Sequence, residues 1–134
     1  MSSDSNGNAY ILRITRREVE AQLFMRRWLY VGVRRDWSRG SKILFARRAD
    51  AFIASGVIGR IATLDELDPA EKEFCIQNNW YAKIVFEKLT RFHPEVPIKD
   101  TPLAVLSPVT LHGYQVKQDD VVKVEAAAPC RIHV

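Results

Sequence analysis

Apolar and polar positions alternate with a period of two over most of the chain and slow to a helical period in a few stretches. That mixture predicts short strands with two or three short helices between them. Tyr10 to Ile14 (YILRI) reads as a strand, followed by Thr15-Arg16-Arg17-Glu18, which fits a capping box with Thr15 as cap and Glu18 reaching back. The helix it opens runs to about Arg27, with Val19 and Leu23 along one side and Phe24 beside them. Trp28 to Arg35 reads as a strand with Leu29, Val31 and Val33 on one face and Trp28, Tyr30, Gly32 and Arg34 on the other. Asp36 to Gly40 carries turn residues, and Lys42 to Arg48 and Ala51 to Ile61 read as further strands. Gly56 and Gly59 in the latter suggest a bulge or tight curvature.

A second helix starts at Asp68-Pro69-Ala70-Glu71, with proline at the first helical position, and Asn78-Asn79 can end it in a left-handed turn. Trp80 to His93 is a long strand in which Ala82, Ile84 and Phe86 alternate with Lys83, Val85 and Glu87. Pro94 to Pro102 reads as extended. Ala104 to Leu106 is a short strand, Gln118 to Ala127 a helix and Arg131 to Val134 a final strand. Short strands with glycines inside them predict an α+β fold on a curved or closed mixed sheet.

Length and composition narrow the class. At 134 residues and 47% hydrophobic, the chain suits one domain with its own core. Residues 1–9 are small and polar and read as a disordered tail, leaving a single domain over 10–134. No apolar signal core opens the chain and no run of eighteen apolar residues crosses it, so a cytoplasmic protein without a membrane span is expected. Cys75 and Cys130 lack CxxC or histidine companions, so no metal site is implied, and reduced thiols are expected, with Cys75 buried. No GxxxxGK[ST] or GxGxxG loop occurs, and no cofactor is implied.

Charge is unevenly distributed along the chain. Residues 1 to 60 hold twelve Lys and Arg against five Asp and Glu, whereas residues 61 to 134 hold eight against eleven. Thirteen of the twenty basic residues are arginine, whose planar fork suits phosphates and stacks on rings. The stretch RRWLYVGVRRDWSRGSK, residues 26–42, concentrates arginine with two tryptophans and a tyrosine. Arg34, Arg35, Arg39, Lys42 and Arg47 are therefore candidate phosphate contacts, and Trp28, Trp37 and Trp80 candidate stacking platforms. Trp37, in a polar turn, is expected to be exposed or to wall a pocket. Asn78-Asn79-Trp80-Tyr81 adds amides beside an aromatic at a helix-to-strand loop, with Asn79 a candidate for reading a base edge. Each has a plainer reading. Trp28 and Tyr30 pack under a helix, Arg47 and Arg48 pair with Glu18 or Asp50, and the asparagines only end a helix. His112-Gly113 reads as a loop near a pocket.

The segments YILRITRREVEAQLF, WLYVGVRR, DWSRGSKILFARR, SGVIGRI, WYAKIVFEKLTRFHPEVPIKD and LHG, in that order, resemble the PUA-like superfamily of small β-barrels, which includes the PUA, ASCH, EVE and YTH domains. The resemblance covers most of residues 10–116 and is nearest to small prokaryotic members with EVE- or ASCH-like barrels. It implies binding of RNA, or of a modified base in an aromatic pocket. Some ASCH relatives hydrolyse acylated nucleosides with a lysine, threonine and glutamate set; here Trp28 and Leu29 stand where the lysine and threonine are expected, and the set has no match. The expectation is thus a nucleic-acid-binding module, RNA favoured over DNA. The alternatives are a small nucleoside hydrolase or deacylase, or a protein-interaction module docking an acidic surface.

Overall fold

In the computed structural model, residues 8–134 are described. The fold is mixed α+β, with seven strands in one sheet and four helices among the described residues. The strands are β1 (Ala9–Ile14), β2 (Trp28–Val31), β3 (Lys42–Arg47), β4 (Ala51–Thr63), β5 (Ala82–Pro97), β6 (Gln115–Val116) and β7 (Cys130–His133). The helices are α1 (Arg17–Arg26), α2 (Pro69–Gln77), α3 (Pro108–Leu111) and α4 (Gln118–Ala127). The sheet runs β2-β5-β4-β3-β1-β6, with β7 on β5 as well. Its terminal strands, β2 and β6, do not pair with each other, so the hydrogen-bonded path is not closed.

Two long strands carry the architecture. β4 and β5 pair antiparallel from Ala51↔Pro97 to Thr63↔Ala82, with register shifts near Phe52/Ala54 and on both sides of Ile58. Such bulges bend and twist a sheet, and Gly59 sits within one of them. β1 lies parallel to β3 and reaches it through α1 and β2, a crossover that a parallel pair requires.

The strand interiors are apolar on both sides because both faces of the sheet are covered. Tyr10, Leu12, Ile43 and Phe45 point into one cluster, together with Leu23 of α1. Ala9, Ile11, Leu44 and Ala46 point into the other, together with Val121 and Val124 of α4. Ile43 to Ala46 are all buried, which is why Lys42 to Arg48 reads as a continuous apolar run rather than an alternating one. Burying each valine or leucine contributes roughly 1.5–3 kcal/mol.

Several expectations need correction. Ala9 is fully buried in β1, and the Asn8 carbonyl accepts the Lys42 N–H at 3.1 Å, so the ordered domain begins before Tyr10. The rest of the expected tail, residues 1–7, lies outside the described residues. The first capping box does not form. Pairing of β1 through Ile14 keeps the chain extended to Arg16, which takes the cap position without a side-chain cap bond. The second cap forms as read, with Asp68 accepting the Glu71 N–H at 2.9 Å. The first basic strand ends at Val31, not Arg35. Residues 104–106 are not a strand; Pro102–Val105 is a short 3-10 turn, started by proline and by Thr101, which caps Leu103. The helix over 118–127 is found at those bounds. No helix among the described residues is long and apolar enough to cross a membrane.

Candidate functional site

A cleft of about 330 Å³ opens where the end of β1, the start of α1 and the end of β2 meet. Leu12, Ile14, Val19, Leu29 and Val31 give it an apolar base. Tyr30 and Trp80 form one wall, Arg13, Thr15 and Arg16 another, and Asn78 and His112 complete the rim.

The aromatic wall is held from behind. The Tyr30 and Trp80 rings stack with centroids 4.9 Å apart and planes 18° from parallel. The Tyr30 hydroxyl donates to Glu71 Oε2 at 2.7 Å, and Lys83 Nζ donates to the same oxygen at 2.9 Å. Lys83, and then Tyr30, hold the Glu71 carboxyl below its ordinary range. Burial, and then the bond to Glu71, push the Tyr30 phenol far upward, so it stays a protonated donor at neutral pH. Trp80 reaches the wall because Gly32 leaves room for the loop before it: a Cβ on Gly32 would come within 2.9 Å of the Asn79 carbonyl oxygen.

The opposite rim is built on a backbone device. His112 Nδ1 accepts the Arg13 N–H at 3.0 Å, so the neutral ring carries its proton on Nε2 as a donor. Burial, reinforced by the charges of Arg13 and Arg35, lowers the imidazole pKa and favours that neutral form. Arg13 also donates to the Pro108 carbonyl at 2.5 Å, and Arg35 donates to the Gly113 carbonyl at 2.6 Å. Gly113 has φ 80°, and a Cβ there would lie 2.7 Å from Arg35 Nη2. Two arginines therefore clamp the loop that carries His112. Among the described residues neither is ion-paired to a carboxylate, and Arg16 has only exposed Glu18 at 3.7 Å.

The predicted residues divide sharply. Trp80 lies in the cleft. Trp28 is half-buried on the same aromatic face, tilted against Tyr30 and covered by Lys83 Nζ 4.1 Å from its ring centroid, and it does not line the cleft. Trp37, expected exposed or as a pocket wall, is 7% exposed: it packs edge-on against Tyr10 and donates its indole N–H to the Tyr81 hydroxyl at 3.0 Å. Arg34 is exposed, its guanidinium 4.2 Å from the Tyr81 ring centroid, and Arg39 is exposed near Glu87 at 3.7 Å. Lys42 binds Glu125 of α4 at 3.2 Å. Arg47 is not a free phosphate contact either. It meets Glu20 at 2.8 Å and Glu95 at 2.5 Å, so the ion-pair reading holds with different partners from Glu18 or Asp50.

Asn79 takes the left-handed turn conformation, φ 59°, and Asn78 rather than Asn79 lines the cleft. The Asn78 amide donates to the Phe74 carbonyl at 2.8 Å, which leaves its Oδ1 as an acceptor. Arg16, Tyr30 and His112 complete the site. Arg16 was hidden by the capping-box reading of Thr15, Tyr30 was visible only as the neighbour of Trp28 on one strand face, and His112 was signalled by the His112-Gly113 pair, where a glycine with φ 80° permits the loop.

The cleft can hold a flat ring beside an anion. Its lining contains neither lysine nor carboxylate, so the lysine, threonine and glutamate set of the ASCH relatives is not assembled there. Cys75 is a buried and Cys130 an exposed free thiol, and no group of three or more potential metal ligands occurs among the described residues. No family model, curated protein or solved structure matches the chain.

Proposed function

We propose that the protein is a PUA-like domain, its barrel open between β2 and β6, that binds single-stranded nucleic acid by taking one base into this cleft. The observation that carries the reading is the meeting of the stacked Tyr30–Trp80 pair with Arg13, Arg16 and His112 around one apolar concavity. Aromatic faces stack bases of any sequence, arginines neutralise phosphates, and such binding weakens steeply with salt. Asn78 Oδ1 and His112 Nε2–H offer one acceptor and one donor to the edge of an inserted base. RNA is favoured over DNA by the family resemblance.

Fluorescence anisotropy with labelled single-stranded RNA, duplex RNA and single-stranded DNA, each at two salt concentrations, tests the reading. Single strands, RNA foremost, are expected to bind, with affinity falling as salt rises. Equal affinity for a duplex, or a constant insensitive to salt, would remove it. Absence of binding to all three would leave the cleft to a small molecule or the basic face to a protein partner.

A further inference from the structure

A second, smaller concavity of about 140 Å³ adjoins the cleft, and Arg16, Val19, Tyr30 and Trp80 line both. Its floor is Phe74 of α2, an aromatic ring that is 49% exposed, edge-on to Trp80 at 5.6 Å and to Tyr30 at 6.1 Å. Core packing does not account for this ring, since the residue α2 buries is Cys75. The rim carries Glu18 and Gln22. We propose that this concavity is a subsite for the neighbouring base of the same strand, selective for bases that present N–H donors, guanine above all.

The inference rests on the nucleic-acid reading and extends it from one nucleotide to two. An exposed aromatic floor continuous with a stacking wall suits a second base. The Glu18 carboxylate, 3.7 Å from Arg16 Nε on the rim, puts an acceptor beside the aromatic floor, which suits the base rather than the backbone. The phosphate joining the two bases then passes Arg16, the cation common to both concavities. A carboxylate only accepts hydrogen bonds. Guanine offers it two adjacent donors, N1–H and N2–H, in the paired arrangement that carboxylates bind best. Uracil offers a single N3–H between two carbonyls, whose lone pairs face those of the carboxylate.

Two single-stranded RNA hexamers, UUUUUU and UGUGUG, test this by anisotropy on the full chain. UGUGUG is expected to bind about fivefold to a hundredfold more tightly, the range of one good paired base contact. Glu18→Gln should abolish that preference, and Phe74→Ala should weaken UGUGUG by about fivefold to a hundredfold through lost stacking. Equal, salt-sensitive binding of both hexamers would overturn the second subsite and leave the first cleft standing. So would UGUGUG affinity unchanged by Phe74→Ala. Binding of neither hexamer would overturn the parent reading and this one with it.

Discussion

Two basic regions of this molecule look alike in sequence and differ in what their charges touch. At the end of β3 and the facing side of α1, Arg47 is held by Glu20 and Glu95, and at the start of β3, Lys42 is held by Glu125. At the cleft, the Arg13 side chain bonds only a backbone carbonyl and Arg16 faces one exposed carboxylate, while Arg35, outside the cleft lining, also bonds only backbone carbonyls. The first arrangement spends cations on joining elements of the fold. Glu20 comes from α1 and Glu125 from α4, so these pairs fasten covering helices to the sheet, whereas Glu95 lies on β5 and ties Arg47 to another strand of the sheet. The second leaves Arg13 without a carboxylate partner, and Arg16 with one exposed partner, beside a concave, aromatic-walled space. Local charge neutralisation, not the density of arginine in the chain, separates a candidate phosphate surface from a structural joint.

The sharpest way to break this contrast is Trp37→Ala. If Trp37 is core, the substitution destabilises by about 3–5 kcal/mol in urea unfolding, the usual range for a buried aromatic. A variant of full stability that no longer binds RNA would return Trp37 to the site. Trp80→Ala should instead weaken binding of single-stranded RNA by about 1–3 kcal/mol, with the smaller part of its effect on stability. Arg47→Ala leaves Glu20 and Glu95 without a partner. Because these groups are partly solvated, a loss of about 1–2 kcal/mol in stability is expected after allowing for screening, with RNA affinity unaltered.

The smallest effect concerns pH. Arg47 holds both the Glu20 and the Glu95 carboxyl below the ordinary range. Their contribution is therefore complete above the unfolded glutamate value of about 4.3 and is lost as pH falls below it. His112 is also lowered, so its neutral form stabilises the fold above about pH 6.5 and that contribution fades on acidification. Wild type and His112→Ala should show diverging acid profiles by thermal unfolding between about pH 6.5 and 5; parallel profiles would remove the Arg13–His112 bond from the account.

Much of the fold was legible because period and punctuation agreed. β1, α2 and α4 are read from YILRI, from the Asp68-Pro69 start and from the segment 118–127, and each is found close to those bounds. The first cap was misread because strand pairing through Ile14 outweighed a local hydrogen-bond signature and moved the helix start to Arg17. The extent of β5 was underestimated since its outer half is supported by β4 and β7, pairings that local pattern does not encode. The site was half legible. Trp80 and the His112 loop were visible, but Trp37, in a polar turn, gives no local sign that Tyr10 and Tyr81 lie above it. Arg47 likewise gives no sign that Glu95, 48 residues away, will reach it. Partners distant in sequence decide the role of each cation, and single-chain pattern does not carry them.

The most direct experiment is the salt dependence of single-stranded RNA binding in three proteins: wild type, Arg16→Ala and Arg47→Ala. Arg16→Ala is expected to reduce the slope of log affinity against log salt by about one phosphate contact, while Arg47→Ala leaves it unchanged. A slope reduced by Arg47→Ala and untouched by Arg16→Ala would place the anionic ligand on the ion-paired side of the molecule and contradict the assignment of the cleft.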